Sequence, residues 1–170
     1  MSDQLAFDVP GLTSPRSAVI SPCGQYRYRL DRRWGSGGNV AWVMLNPSTA
    51  DGTAEDATSR RITAFSRSWG GYGSLTVVNL YAFRATKPAD LWRAADPVGP
   101  EADRYLLEAV TAADLVVAAW GANAKPDRIA QVLELVGPGR LNALAVTDAG
   151  QPRHPLYLKS DLTPQPWEAP

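Results

Sequence analysis

Apolar residues along this chain come in short blocks, and the period of each block predicts its element. Residues 18–21 and 25–31 flank Pro22-Cys-Gly24, and the second run, Gln-Tyr-Arg-Tyr-Arg-Leu-Asp, alternates. Alternation over so short a span predicts an antiparallel edge hairpin with one wet face. Residues 34–39 read as a turn. Residues 40–45, Val-Ala-Trp-Val-Met-Leu, are continuously apolar, as a strand buried on both faces would be. A loop over 46–52 leads to a predicted helix. Thr53 is its expected N-cap, with Asp56 three residues on in the manner of a capping box. Ala57, Ile62, Ala64 and Phe65 are its expected buried positions, and it runs to about Trp69, where Gly70-Gly-Tyr-Gly73 stops it. Residues 75–79 form a second buried strand. Residues 81–100 make a long, mostly irregular connection interrupted by Pro88 and Pro97. A helix follows over 101–112, then a third strand over 114–119. The next helix runs from 124 or 125 to 136, with Pro126 in its first turn. A fourth strand covers 141–146.

The repeating unit is strand, crossover helix, strand. It implies an α/β fold in three layers, with a mostly parallel four-stranded central sheet, helices on both faces and the N-terminal hairpin at one edge. Residues 1–17 read as a loose lead-in, 18–159 as a single α/β domain and 160–170 as a short Pro-rich tail.

Composition narrows the chemistry. Hydrophobic residues make up 45% of the 170 and charged residues 20%, so one sizeable core is expected. With one cysteine, Cys23, and one histidine, His154, neither an internal disulfide nor a Cys/His zinc site can be assembled. The only tight acidic group is Asp51, Glu55 and Asp56. No stretch reaches 18 apolar residues, and the N-terminus, Met-Ser-Asp-Gln, lacks the basic start of a signal peptide, so a cytoplasmic protein is expected. The formal net charge is zero, whereas proteins held to nucleic acid by charge are usually basic. The arginines are unevenly spread: Arg27, Arg29, Arg32 and Arg33 cluster early, followed by Arg60, Arg61 and Arg67. A local basic patch and a solvated surface both fit that pattern. No Walker loop, Rossmann fingerprint or Gly-x-Ser-x-Gly elbow is present, and no cofactor is expected.

In a parallel sheet the loops after the strands converge on one edge, where ligands bind. Here those loops carry Asn46-Pro47-Ser48, Asn79-Leu-Tyr81, Trp120-Gly-Ala-Asn123 and the segment leading to His154. His154, between Pro152 and Pro155, is a candidate general acid or base, or a donor to developing charge. Asn46, held extended by Pro47, can orient a water but is too weak a base to activate one. Asp51 is the candidate carboxylate for that role. Asp56 and Arg60 are spaced for an i,i+4 ion pair. Asn79 is a candidate reader of a ligand's polar edge. Tyr81, Phe83 and Trp120 are candidate stacking surfaces, with core packing as the alternative for each. Arg84, Lys87 and Arg153 are candidate phosphate contacts.

Residues 42–51 (Trp-Val-Met-Leu-Asn-Pro-Ser-Thr-Ala-Asp), Asp56-Ala-Thr58, Arg60-Arg61 and 77–84 (Val-Val-Asn-Leu-Tyr-Ala-Phe-Arg) resemble the bacterial family catalogued as domain of unknown function 1643. The likeness spans most of residues 18–158 and implies no settled activity. More distantly, Leu45-Asn46-Pro47-Ser48, the apolar strand ending in Trp120-Gly121, and Arg153-His154-Pro155-Leu156 are similar to motifs of the uracil-DNA glycosylase superfamily. That similarity implies a glycosylase-like three-layer fold. Asn46 would help position the attacking water, Asn79 would read the base edge, and His154 would stabilise the departing base. Ser48 and Leu156 depart from the superfamily pattern. Leu156 stands where a serine would grip backbone phosphate, which weakens the case for duplex DNA. The leading expectation is therefore an N-glycosidic hydrolase acting on a nucleobase in DNA or a nucleotide. The alternatives are a non-catalytic nucleotide or nucleic-acid binding module, and a metal-dependent small-molecule hydrolase or transferase using Asp51 or Asp56.

Overall fold

The computed structural model describes residues 15–48 and 54–170. They form a mixed α/β fold around one seven-stranded sheet, in the order β1-β2-β4-β3-β5-β6-β7. The strands are β1 Arg16–Ile20, β2 Arg27–Arg33, β3 Gly38–Met44, β4 Tyr72–Asn79, β5 Leu115–Ala118, β6 Asn142–Ala143 and β7 Gln165–Pro166. The four central strands β4, β3, β5 and β6 run parallel, while the β1–β2 hairpin and β7 add antiparallel edges. The sheet thus has three strands beyond the expected parallel four, two from the expected hairpin and one from the tail.

Among the described residues there are four α-helices: α1 Ala57–Ser68, α2 Pro88–Arg93, α3 Ala102–Ala112 and α4 Pro126–Val136. Side chains of β3 and β4 alternate between two cores, which explains their unbroken apolar runs. Val40, Trp42, Leu75 and Val77 pack against Ile62 and Phe65 of α1. Ala41, Val43 and Val78 pack against α3 and α4 through Leu106, Val110, Ile129 and Val132. The α1 side is locked by aromatic contacts. Trp42 stacks on Trp69 at 5.8 Å, and its indole N–H donates to Ser66 Oγ at 3.0 Å inside the core.

Several local expectations need correction. Asp56, not Thr53, caps α1: its backbone is extended and its carboxylate accepts from Ser59 N at 2.7 Å. Thr53 lies outside the described residues. Lying just outside the helix, Asp56 turns its carboxylate onto the helix's own N–H groups rather than pairing with Arg60. Ala57 and Ala64 are exposed, and the buried positions of α1 are Ser59, Ile62, Phe65 and Ser66. Pro88 opens a helix instead of interrupting a loop, since a first-turn proline lacks only an N–H that would be unpaired there anyway. The fourth strand is cut to two residues because the chain folds back on itself just beyond it. Val146 bridges to Pro152, and Arg153 N donates to Ala145 O at 2.9 Å.

The tail belongs to the core. Trp167 is buried, meets Trp120 edge-on at 5.3 Å, and donates its indole N–H to Gly150 O at 2.8 Å. No helix among the described residues is long and apolar enough to cross a membrane. Truncating a buried aromatic of this size costs about 3–5 kcal/mol. Trp167→Ala is therefore expected to lower unfolding stability by about 3 kcal/mol in urea titration, and a loss under about 0.5 kcal/mol would contradict a core role for the tail.

Candidate functional site

The connection from β3 leaves towards α1 on one face of the sheet. The connection from its neighbour β5 leaves towards α4 on the other. Diverging loops open a crevice at the carboxyl ends of such a strand pair. A cavity of about 380 Å³ sits there, large enough for a small ligand. Its floor is apolar, from Leu30, Met44 and Val77, with Ile62 of α1 above. Its polar rim draws on Arg27, Asn46, Ser48, Asp56, Thr58, Ser59, Asn79, Asn123 and His154.

Asn79 closes β4 and is only 4% exposed. Strand alternation puts it on the same face as Leu75 and Val77, looking into the cavity. Neither its amide oxygen nor its amide nitrogen has a hydrogen-bond partner among the described residues. A buried polar group without a partner costs about 1–3 kcal/mol, and native proteins keep few of them.

Asn46 follows β3. Its Nδ2 donates to Pro47 O at 3.0 Å and Ala85 O at 2.8 Å, while Ala85 N returns a bond to Pro47 O. The amide thus staples its loop to the one after β4. Both N–H groups are engaged, which leaves the carbonyl oxygen as the atom Asn46 can offer a ligand or water.

His154 reaches the cavity through the fold-back beyond β6. Gly121 N donates to Pro152 O at 2.7 Å, and the Trp120 indole donates to Gln151 Oε1 at 3.0 Å, so the loop after β5 anchors the approach. Gly121 has φ 76, and a Cβ there would lie 3.8 Å from the His154 Cβ. Glycine is thus suited to this position mainly by its backbone. Beyond His154, the Arg61 guanidinium of α1 donates to the carbonyls of Pro155 and Leu158, clamping the 3₁₀ turn Pro155–Tyr157. His154 Nδ1 accepts from Leu156 N at 3.2 Å. That bond requires Nδ1 to be unprotonated, so the neutral ring carries its proton on Nε2. Burial pushes the imidazole below its ordinary range, while the nearby Asp56 carboxylate pulls less strongly the other way. His154 is therefore a neutral N–H donor at neutral pH.

The structure brings Asn46, Ser48, Asn79, Trp120 and His154 together, with Asp56 beside them. Trp120, 1% exposed, forms a packed wall. Pro47, Tyr81, Arg84 and Arg153 do not line the cavity. Pro47 is buried as the acceptor in the loop staple. Tyr81 packs against Trp92 at 5.0 Å and accepts from Lys125 N at the start of α4, so it serves the opposite layer. Arg84 reaches Gly24 O, and Arg153 is exposed. Phe83 meets Tyr26 edge-on at 5.9 Å, away from the cavity. Asp51 lies outside the described residues. No group of three or more His, Cys, Asp or Glu side chains among the described residues is placed to hold a metal ion.

Arg27, only 4% exposed and charged, is the principal lining residue not anticipated as part of the site. Plain alternation back from Leu30 would turn it to the α3 face. Against β1, however, Val19 pairs with Arg29 and Ile20 with Arg27, so Tyr28 is an extra residue, a β-bulge. Tyr28 stacks on Tyr105 of α3 at 5.3 Å, and Arg27 is returned to the cavity face beside Leu30. Thr58 and Ser59 were also unforeseen, because the helix start was expected earlier.

The chain matches DUF1643, described as a protein of unknown function, over residues 27–156, and it belongs to that family. No curated protein and no solved structure matches it.

The single histidine gives an NMR signal that needs no assignment. Its folded-state midpoint is expected below the ordinary value of about 6.5. Stability linked to this ring is full above pH 6.5 and falls as pH drops from there towards the lowered folded value, because the unfolded chain takes up the proton first. Asp56→Asn, which removes the opposing carboxylate, lowers the midpoint further. A midpoint above 6.5 in the wild type would show that the carboxylate outweighs burial.

Proposed function

We propose that this DUF1643 protein is an N-glycosidic hydrolase that releases a uracil-like, mismatched or modified nucleobase from DNA or a nucleotide. The observation that carries the reading is Asn79. A buried primary amide with neither polar atom partnered among the described residues, facing a ligand-sized cavity, complements the adjacent C=O and N–H of a base edge in two hydrogen bonds. The apolar floor suits a flat heterocycle, and an extrahelical base would be needed if the substrate is duplex DNA.

The chemistry follows from the remaining groups. Water adds to the anomeric carbon as the glycosidic C–N bond breaks, and the bonding electron pair leaves with the base. His154, neutral with its proton on Nε2, donates a hydrogen bond to the oxygen on which that charge accumulates. The Asn46 carbonyl oxygen orients the water. The proton the water loses passes to a carboxylate, Asp56 at the cavity wall or Asp51, and finally to the departed base. The loops that carry Asn46 and His154, with the Trp120-Gly121 turn between them, hold the motifs similar to those of uracil-DNA glycosylases, which adds support from sequence.

The test is base release followed by mass spectrometry, using nucleosides, nucleotides and DNA that carry uracil, mismatched thymine or modified bases. Wild-type protein is expected to liberate a free base. Losing a donor to developing charge costs about 10²–10³-fold in rate. His154→Ala, with its fold verified by circular dichroism, is expected to be slower by that factor. Absence of release across the panel, or equal release by the His154 variant, overturns the reading.

A further inference from the structure

We infer that Arg27 is a specificity-determining residue that restricts the cavity to heterocycles with an imide edge, in which one N–H lies between two carbonyls, as in uracil, thymine and xanthine. The inference rests on the nucleobase reading of the cavity.

The placement comes from sheet register. Leu30 of β2 pairs with Val77 of β4, and both lie on the cavity floor. Asn79 is the next same-face residue along β4. The bulge at Tyr28 makes Arg27 the next same-face residue along the antiparallel β2. Arg27 N donates to Ala82 O at 3.0 Å, which fixes the strand end beside the chain leaving Asn79. Arg27 and Asn79, both buried, therefore line one cavity from neighbouring strands.

The donor pattern then selects the ligand. Asn79 supplies an acceptor next to a donor, and the guanidinium supplies only donors. Its five N–H groups fan out in a plane, enough to serve both protein and ligand. Together they read donor, acceptor, donor, the complement of carbonyl, N–H, carbonyl. Cytosine presents its ring nitrogen as an acceptor where Asn79 offers its oxygen. Guanine presents an amino group to the guanidinium. A buried polar pair facing the wrong pattern is left unpaired, and that is how such sites discriminate strongly.

The experiment measures binding of free bases to the full chain by titration calorimetry, which requires no catalysis. Losing one charge-assisted hydrogen bond is worth about tenfold or more in affinity. Uracil is expected to bind at least about tenfold more tightly than cytosine and than 3-methyluracil, in which the central N–H is blocked. It should also bind about tenfold more tightly than 4-pyrimidinone, which keeps the amide edge for Asn79 and lacks the second carbonyl. This last comparison tests the Arg27 contact without altering the protein. In Arg27→Leu, with folding checked by thermal melting, uracil and 4-pyrimidinone should bind alike, whereas Arg27→Gln, which keeps an N–H donor, should retain part of the preference. Equal affinity of the wild type for uracil and 4-pyrimidinone, or for uracil and cytosine, or no binding of any imide base, overturns the inference. Selective uracil binding without base release upholds it while the hydrolase reading fails. Base release without imide selectivity does the reverse.

Discussion

The burial of β3 on both faces is the constraint from which the site follows. Its side chains alternate between two apolar cores, so helices must cover the sheet on each side. It pairs in parallel with β4 and with β5, so each connection must cross over a face of the sheet. Right-handed crossovers taken in opposite directions leave on opposite faces. The loops after β3 and β5 therefore diverge, and the cavity is the gap between them. The staple between Asn46 and Ala85, and the contact of Gly121 with Pro152, hold that gap to a defined shape.

Within the gap, polarity is divided between two kinds of group. Some polar side chains spend their capacity on the protein. The Asn46 amide nitrogen, Asp56 Oδ1 and the Arg61 guanidinium bind backbone atoms and fix the walls. Others keep capacity on the cavity side. Neither amide atom of Asn79 is bonded to a described residue, and the His154 ring accepts through Nδ1, which leaves its proton on Nε2. The first group fixes the walls in which the second is held.

The strand pattern was legible because hydrophobic period reports burial directly. The runs at 40–45, 75–79 and 114–119 became β3, the end of β4 and β5 nearly where the period puts them. Asn46, Asn79 and His154 were legible for a related reason: strand-end loops in a parallel sheet converge wherever the strands pair. Tyr81 was misread because it lies only two residues from Asn79, yet the chain has by then turned towards α4. Arg84 and Arg153 were credited with charge alone, and charge carries no direction. The tail reads in sequence only as a short Pro-rich extension because its prolines signal a loop, while the value of Trp167 lies in a partner, Trp120, 47 residues away.

By itself, then, the sequence determined the alternation of strands and helices, the parallel core and the loops that meet at its edge, since these follow from local period and from rules of chain connection. The tertiary structure alone decided which polar groups face the cavity and which are consumed in holding it. Arg27 shows the difference most clearly. Its local pattern assigns it to the other face, and one extra residue, visible only through pairing with β1, reverses that assignment. Side-chain direction in a strand changes with every residue, so a single bulge alters it completely while leaving the local sequence signal almost untouched.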